Sequence, residues 1–299
     1  MPLVVGLLTL AIVTGWASEV QVHHIHGLSV DSGDPAIVYV ATHTGLAKLA
    51  PGRRPELVGE HRFDLMGFTA HPSRQGLVWA SGHPDLPTYH REGVANLGVL
   101  ESRDGGATWR SVALRGKADF HALAWSPHDG GHLYGWTVAG EPGLYRVSPA
   151  SAKVERLPTR GLADVSALAA SPAPAGPLLA GTRRGLLASR DRGLTWLPVT
   201  GLPAGAPVTA VAFHRNDARV VYAFAAGAAS VLFRSADSGR TWEKSALQRE
   251  AQDPVIALAV GPGQQVVAAT TSADVLRSGD GGGTWEVLLE RGRSRTSSR

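Results

Sequence analysis

An eight-residue pattern, S-x-D-x-G-x-T-W, occurs four times in this chain and constrains its fold more than any other feature. The copies run Ser102-Arg-Asp-Gly-Gly-Ala-Thr-Trp109, Ser189-Arg-Asp-Arg-Gly-Leu-Thr-Trp196, Ser235-Ala-Asp-Ser-Gly-Arg-Thr-Trp242 and Ser278-Gly-Asp-Gly-Gly-Gly-Thr-Trp285. The pattern describes a β-hairpin turn. Asp accepts from nearby backbone N–H groups, Gly takes the positive φ of the turn, and Thr-Trp opens the next strand. Successive copies start 87, 46 and 43 residues apart, and the first interval is two periods with one copy missing. A period near 40–45 residues in strand-rich sequence predicts a β-propeller with one four-stranded blade per repeat.

Six innermost strands align without gaps: His24 to Ser29, Asp64 to Thr69, Asp119 to Ala124, Asp164 to Ala169, Pro207 to Ala212 and Pro254 to Ala259. Their fourth position is always Gly or Ala, which suits the crowded centre where inner strands converge. Second strands align at Ile37 to Thr42, Leu77 to Gly82, Leu133 to Thr137, Leu178 to Thr182, Val220 to Ala225 and Val266 to Thr271. The expected fold is therefore all-β: one six-bladed propeller, rather than seven-bladed, over residues 20–290. Blades 1 and 3 lack the box.

The boxes resemble those of the Asp-box (BNR) β-propellers, a superfamily that includes sialidases, sortilin-type receptors and a photosystem-assembly factor. His24-Ile-His-Gly27, Met66-Gly-Phe68 and Ser81-Gly-His-Pro84 are similar to segments of exported bacterial Asp-box proteins called glycosylhydrolase-like. The resemblance implies the fold and leaves the chemistry to the site. It also implies that Asp104, Asp191, Asp237 and Asp280 are structural turn carboxylates away from any site.

Composition narrows the function classes. The chain has no cysteine, so it has no disulfide, thiolate metal site or cysteine nucleophile. Its net charge is only +4, partly carried by the tail 291–299, which lacks apolar residues and is expected to be disordered. No basic stripe with interleaved aromatics points to nucleic acid, and nothing points to a nucleotide cofactor. Residues 1–17 read as a signal peptide: the apolar run is too short for a comfortable membrane span, and Gly15-Trp-Ala17 offers a small-x-small cleavage site. The expected location is outside the cytoplasm, periplasmic or secreted, with no stable membrane span after cleavage.

The chemistry gathers in one region. Eleven of the twelve histidines lie between His23 and His132, although the six blades are otherwise alike. The third inner-strand position reads His26, Met66, His121, Ser166, Thr209, Ile256. The loop after the second strand holds His43 in blade 1 and His83 in blade 2. Propeller topology then places His24, His26, His43, Met66, His83 and His121 on one face, at the channel mouth, opposite the Asp boxes. Imidazole with thioether and no thiolate suits copper; imidazoles alone also suit zinc. Asp64 and Asp119 are candidate oxygen ligands or imidazole acceptors. As a carboxylate pair they are also the candidate catalytic residues of a glycoside hydrolase acting on a small glycan. A sialidase is disfavoured, since no aligned inner-strand position is Arg. The third option is a protein-binding scaffold in which the histidines merely line a wet channel.

His71, His128 and His214 fall in turns on the Asp-box side, and His61 lies just before blade 2. His90 sits in a long loop from Pro84 to Leu97, read as a lid or an insertion.

Overall fold

The computed structural model describes residues 20–227 and 230–294. Six antiparallel sheets follow one another along the chain, each made of consecutive strands, and they form a six-bladed β-propeller. The inner strands are Ile25–Val30, Asp64–Ala70, Phe120–Ser126, Val165–Ala170, Val208–Phe213 and Val255–Val260. They agree with the aligned segments to within one or two residues at each end. The predicted signal peptide lies outside the described residues. The predicted tail begins differently from expectation: Arg291 and Gly292 turn the chain, and Arg293–Ser294 adds a short fifth strand to blade 6. Residues 295–299 lie outside the described residues.

Among the described residues no sheet mixes strands from the two ends of the chain, and the first and last blades meet by packing. Ile25, Val40, Ala257, Val275 and Leu289 share one buried cluster across the junction of blades 1 and 6. The Val22 N–H donates to the Gly292 carbonyl at 2.9 Å, and Gln265 Nε2 donates to the Pro35 carbonyl at 2.8 Å. Gly292 has φ 74°, and a Cβ there would lie 1.9 Å from the Val22 carbonyl oxygen, so only glycine fits this seam.

Each inner strand carries the same irregularity. In blade 1, Ile25 pairs with Thr42 and Gly27 with Ala41, which leaves His26 as an extra residue. The equivalent extra residues are Met66, His121, Ser166, Thr209 and Ile256. A β-bulge of this kind leaves one residue unpaired and re-aims its side chain. All six bulges fall at the inner-strand starts, where the ends of the second strands also lie: Asp64 pairs with His83 and Ile25 with Thr42.

The four Asp boxes lie on the opposite face, as the topology required. Box backbone N–H groups of Gly105, Ser238 and Gly281 donate to the loops between first and second strands, at Gly76, Arg219 and Gln264. Within the box at Asp191, Thr195 donates from N to Oδ1 at 2.9 Å and from Oγ1 to Oδ2 at 2.6 Å, and Ser189 Oγ donates at 2.8 Å. Asp104, Asp237 and Asp280 repeat the arrangement. The box also seals the seam to the preceding blade. Trp196 is buried against Tyr134 and Leu144 of blade 3, and its Nε1 donates to the Gly193 carbonyl at 3.1 Å. Tyr222 Oη donates to the Gly281 carbonyl of the next blade's box at 3.1 Å. Blade 3 has no box to seal its seam with blade 2. There the indoles of Trp79 and Trp125 lie nearly parallel, 9° apart at 6.5 Å, and Trp79 Nε1 donates to Glu101 Oε2 at 3.0 Å.

Two outcomes follow from the box. Trp196→Ala removes a buried indole and should cost about 3–5 kcal/mol, measurable by denaturant unfolding. The Thr195 hydrogen bonds hold the Asp191 carboxyl down to about 2. Because its folded value lies below its unfolded value, its contribution is complete above the ordinary carboxylate range and is lost as pH falls from about 4 through about 2. Asp191→Asn should flatten that part of the stability–pH curve.

Candidate functional site

The channel mouth on the bulge side gathers two carboxylates and five imidazoles from blades 1 to 3, in two groups. The first surrounds Asp64, the first residue of the blade 2 inner strand. His43, in the turn after the second strand of blade 1, brings Nδ1 to 2.6 Å from Asp64 Oδ1. His26, on the bulge of blade 1, brings Nε2 to 3.7 Å from the same oxygen. One ligating atom from each of His26, His43 and Asp64 can be chosen so that all three lie within 4.8 Å of one another. The His24 ring packs on His43 with centroids 4.8 Å apart, and its backbone is held at φ 48°, unusual for a residue with a side chain.

The second group surrounds Asp119, just before the inner strand of blade 3. Its side chain is only 3% exposed. His121, on the bulge, places Nε2 2.8 Å from Asp119 Oδ2, and His83 places Nε2 3.3 Å from the same oxygen. His83 Nδ1 lies 3.0 Å from the Ala95 carbonyl oxygen. That carbonyl belongs to the end of the long loop, so the loop orients the ring. Part of the loop is a helix, Leu86–Glu92, with Asp85 as N-cap accepting from Thr88 N, a proline in its first turn, and Gly93 at φ 68° closing it. Asp85 also accepts from Arg62 N at 3.0 Å, tying the insertion to the entry of blade 2.

The electrostatics of the first group are unusual. His43 approaches Asp64 Oδ1 closely but off the line a hydrogen bond needs. Asp64 Oδ1 and His26 Nε2 are both buried without a hydrogen-bond partner, as is Asp119 Oδ1. Buried polar atoms left in this state are costly in a folded protein. Burial first, and then repulsion from His43, pushes the His26 imidazole down to about 4, against the opposing pull of Asp64. His26 is thus neutral at pH 7, with a lone pair free to bind a cation.

The remaining candidates distribute as follows. Met66 occupies the bulge of blade 2, between the bulges that carry His26 and His121. The first aligned position of blade 4, Asp164, is exposed at φ 51°, and its carbonyl accepts from Arg183 N. His61 stacks on Phe63 with centroids 4.4 Å apart, 3.8 Å from Asp85. His128 and His214 turn away to the Asp-box side, within hydrogen-bond distance of the Gly176 and Gly263 carbonyls of the following blades. Sequence spacing alone did not separate the six predicted ligands into two groups. The signal for the split was present in the aligned aspartates, since Asp64 and Asp119 stand two blades and one blade from Asp164, which has no histidine beside it.

Fold and repeat together define the class: the chain is an Asp-box β-propeller with six blades. The family described as photosynthesis system II assembly factor YCF48 matches residues 156–297, which hold three of the four boxes. No curated protein matched the sequence. Among solved structures, a GH74 xyloglucanase from Xanthomonas campestris is similar over 90% of this chain and 46% of its own, at 20% identity and TM-score 0.59. YCF48 from Cyanidioschyzon merolae is similar over 86% and 96%, at 15% identity and TM-score 0.57. The Malassezia sympodialis allergen Mala s 1 is similar over 85% and 89%, at 12% identity and TM-score 0.56. This chain therefore spans less than half the length of the xyloglucanase. At these identities the likeness is one of fold. Among the described residues no helix is long and apolar enough to cross a membrane.

The neutral state of His26 has a measurable consequence. Its ring resonances in an NMR titration of the metal-free protein should stay unprotonated down to about pH 4. The unfolded chain takes up a proton near the ordinary histidine value that the folded ring refuses. This group therefore lowers stability as pH falls from about 6.5 to about 4.

Proposed function

We propose that the protein is an exported metal-binding propeller that holds a transition metal at its channel mouth through His26, His43 and Asp64. The observation that carries this reading is the convergence of two imidazole nitrogens and a carboxylate oxygen, two of them buried without hydrogen-bond partners. Metal–ligand bonds of about 2.0–2.2 Å in a tetrahedral site put donors about 3.4 Å apart, so the His26–Asp64 pair at 3.7 Å would contract slightly and the His43–Asp64 pair at 2.6 Å would open to admit the ion. Two imidazoles and a carboxylate suit Cu(II) or Zn(II) more than Cu(I), for which thioether is the softer partner. Met66, on the adjacent bulge, is the residue that would favour copper. His24, stacked on His43, would limit the movement of that ligand.

Two other readings use the same face. A glycoside hydrolase would use Asp64 and Asp119 as its acid and base. Each carboxylate is instead flanked by two imidazoles, and the GH74 likeness lies below the identity that carries an activity. A protein-docking role draws on the exposed side chains of Leu86, Tyr89 and Val138. It also draws on the likeness to YCF48 bound to D1 peptide, at 16% identity and TM-score 0.51 over 90% of this chain and 84% of that one.

Untagged protein stripped with chelator and titrated with Cu(II) and Zn(II) separates the readings. The metal reading expects at least one equivalent bound more tightly than about micromolar, roughly −8 kcal/mol. It expects His26→Ala with His43→Ala to weaken that equivalent at least about 100-fold. No such affinity, with glycan turnover that disappears in Asp119→Asn, would replace it with the hydrolase.

A further inference from the structure

The second histidine group has a feature that the first does not explain. His83 Nδ1 lies 3.0 Å from the Ala95 carbonyl oxygen, which can only accept, so Nδ1 carries the ring proton. In the neutral ring Nε2 is then a bare lone pair, and it faces Asp119 Oδ2 at 3.3 Å. Two electron-rich atoms at that separation repel unless a proton or a metal cation lies between them. The other carboxylate oxygen, Asp119 Oδ1, is buried and has no hydrogen-bond partner, on a side chain 3% exposed. An imidazole fixed by an Nδ1–H to a backbone carbonyl, leaving Nε2 as the free donor atom, is how metal-ligating histidines are commonly held.

The two groups are contiguous. Asp64 of the first and His83 of the second are directly paired residues on neighbouring strands of blade 2. His26 and His121 stand on the equivalent bulges of blades 1 and 3. Resting on the reading of the mouth as a metal site, we propose that His83, Asp119 and His121 form a second metal site beside the first, so that the mouth binds two ions. The donor set is again imidazole and carboxylate, and the ion is of the same class, Zn(II) or Cu(II). His121 is hydrogen-bonded to Asp119 Oδ2 through Nε2; it either turns to ligate or holds the carboxylate in place for His83.

The test is metal stoichiometry of the full chain. Chelator-stripped protein is equilibrated with excess Zn(II), passed through a desalting column and assayed for bound zinc. His83→Ala is the primary variant, because its side chain is 43% exposed and its removal leaves the core intact. Asp119→Asn is the second, keeping the shape of the buried side chain. The proposal expects two equivalents in the unaltered protein, one in either variant, and a 100-fold or greater weakening of the second equivalent. One equivalent in the unaltered protein, kept by His83→Ala and by Asp119→Asn but lost in His26→Ala with His43→Ala, would overturn the second site and leave the first. One equivalent lost in His83→Ala but kept in His26→Ala with His43→Ala would support the second site and overturn the first. Zinc in none of these proteins would overturn both.

Discussion

Close approach of the inner strands at the channel is the constraint on which the rest of this structure depends. At the fourth position of the first two inner strands there is no room even for a methyl group. A Cβ on Gly27 would lie 2.8 Å from the Phe68 Cβ, and one on Gly67 would lie 2.4 Å from the Phe120 carbonyl oxygen. Blades 3 to 6 place Ala122, Ala167, Ala210 and Ala257 there. Immediately before this small residue every inner strand bulges, so a ring of six unpaired residues surrounds one end of the channel. The crowding sets the ring, and the bulge decides which side chains face its mouth.

What those six residues do differs between the two halves of the ring. In blades 4 and 5 the bulge side chain is a hydroxyl that ties its blade to the next. Ser166 Oγ donates to the Val208 carbonyl at 3.2 Å, and Thr209 Oγ1 donates to the Val255 carbonyl at 2.6 Å. In blades 1 and 3 the same position holds His26 and His121, which associate with Asp64 and Asp119. One backbone device thus serves as an inter-blade staple on one side and as a mount for imidazoles beside carboxylates on the other. The histidine asymmetry of the sequence is the trace of that division.

The fold was legible because its determinants are local and repeated. Ser-x-Asp-x-Gly-x-Thr-Trp states a turn and the strand after it, and four copies give the period. The small fourth position gave the inner strands without gaps. Much of the site was legible too, since propeller topology put aligned residues on a common face. The bulges were not, because a residue left out of the ladder looks like any other in the sequence. Nor was the grouping of these side chains, which depends on their reach: His43 to Asp64 across a blade boundary, and His83 and His121 to Asp119. The helix Leu86–Glu92 went unread within its loop, although Asp85, Pro87 and Gly93 are the capping residues such a helix needs. Arg291 to Ser294 read as tail because the segment is polar. It is ordered by the Gly292 contact with Val22, which lies far away in sequence.

The most direct test of the central claim is a crystal of the metal-loaded protein, with anomalous diffraction recorded on both sides of the metal's absorption edge. The account predicts an anomalous peak at bonding distance from His26, His43 and Asp64 that vanishes below the edge. A map with no peak at the bulge end of the channel, or with metal only on surface histidines such as His90, would contradict it.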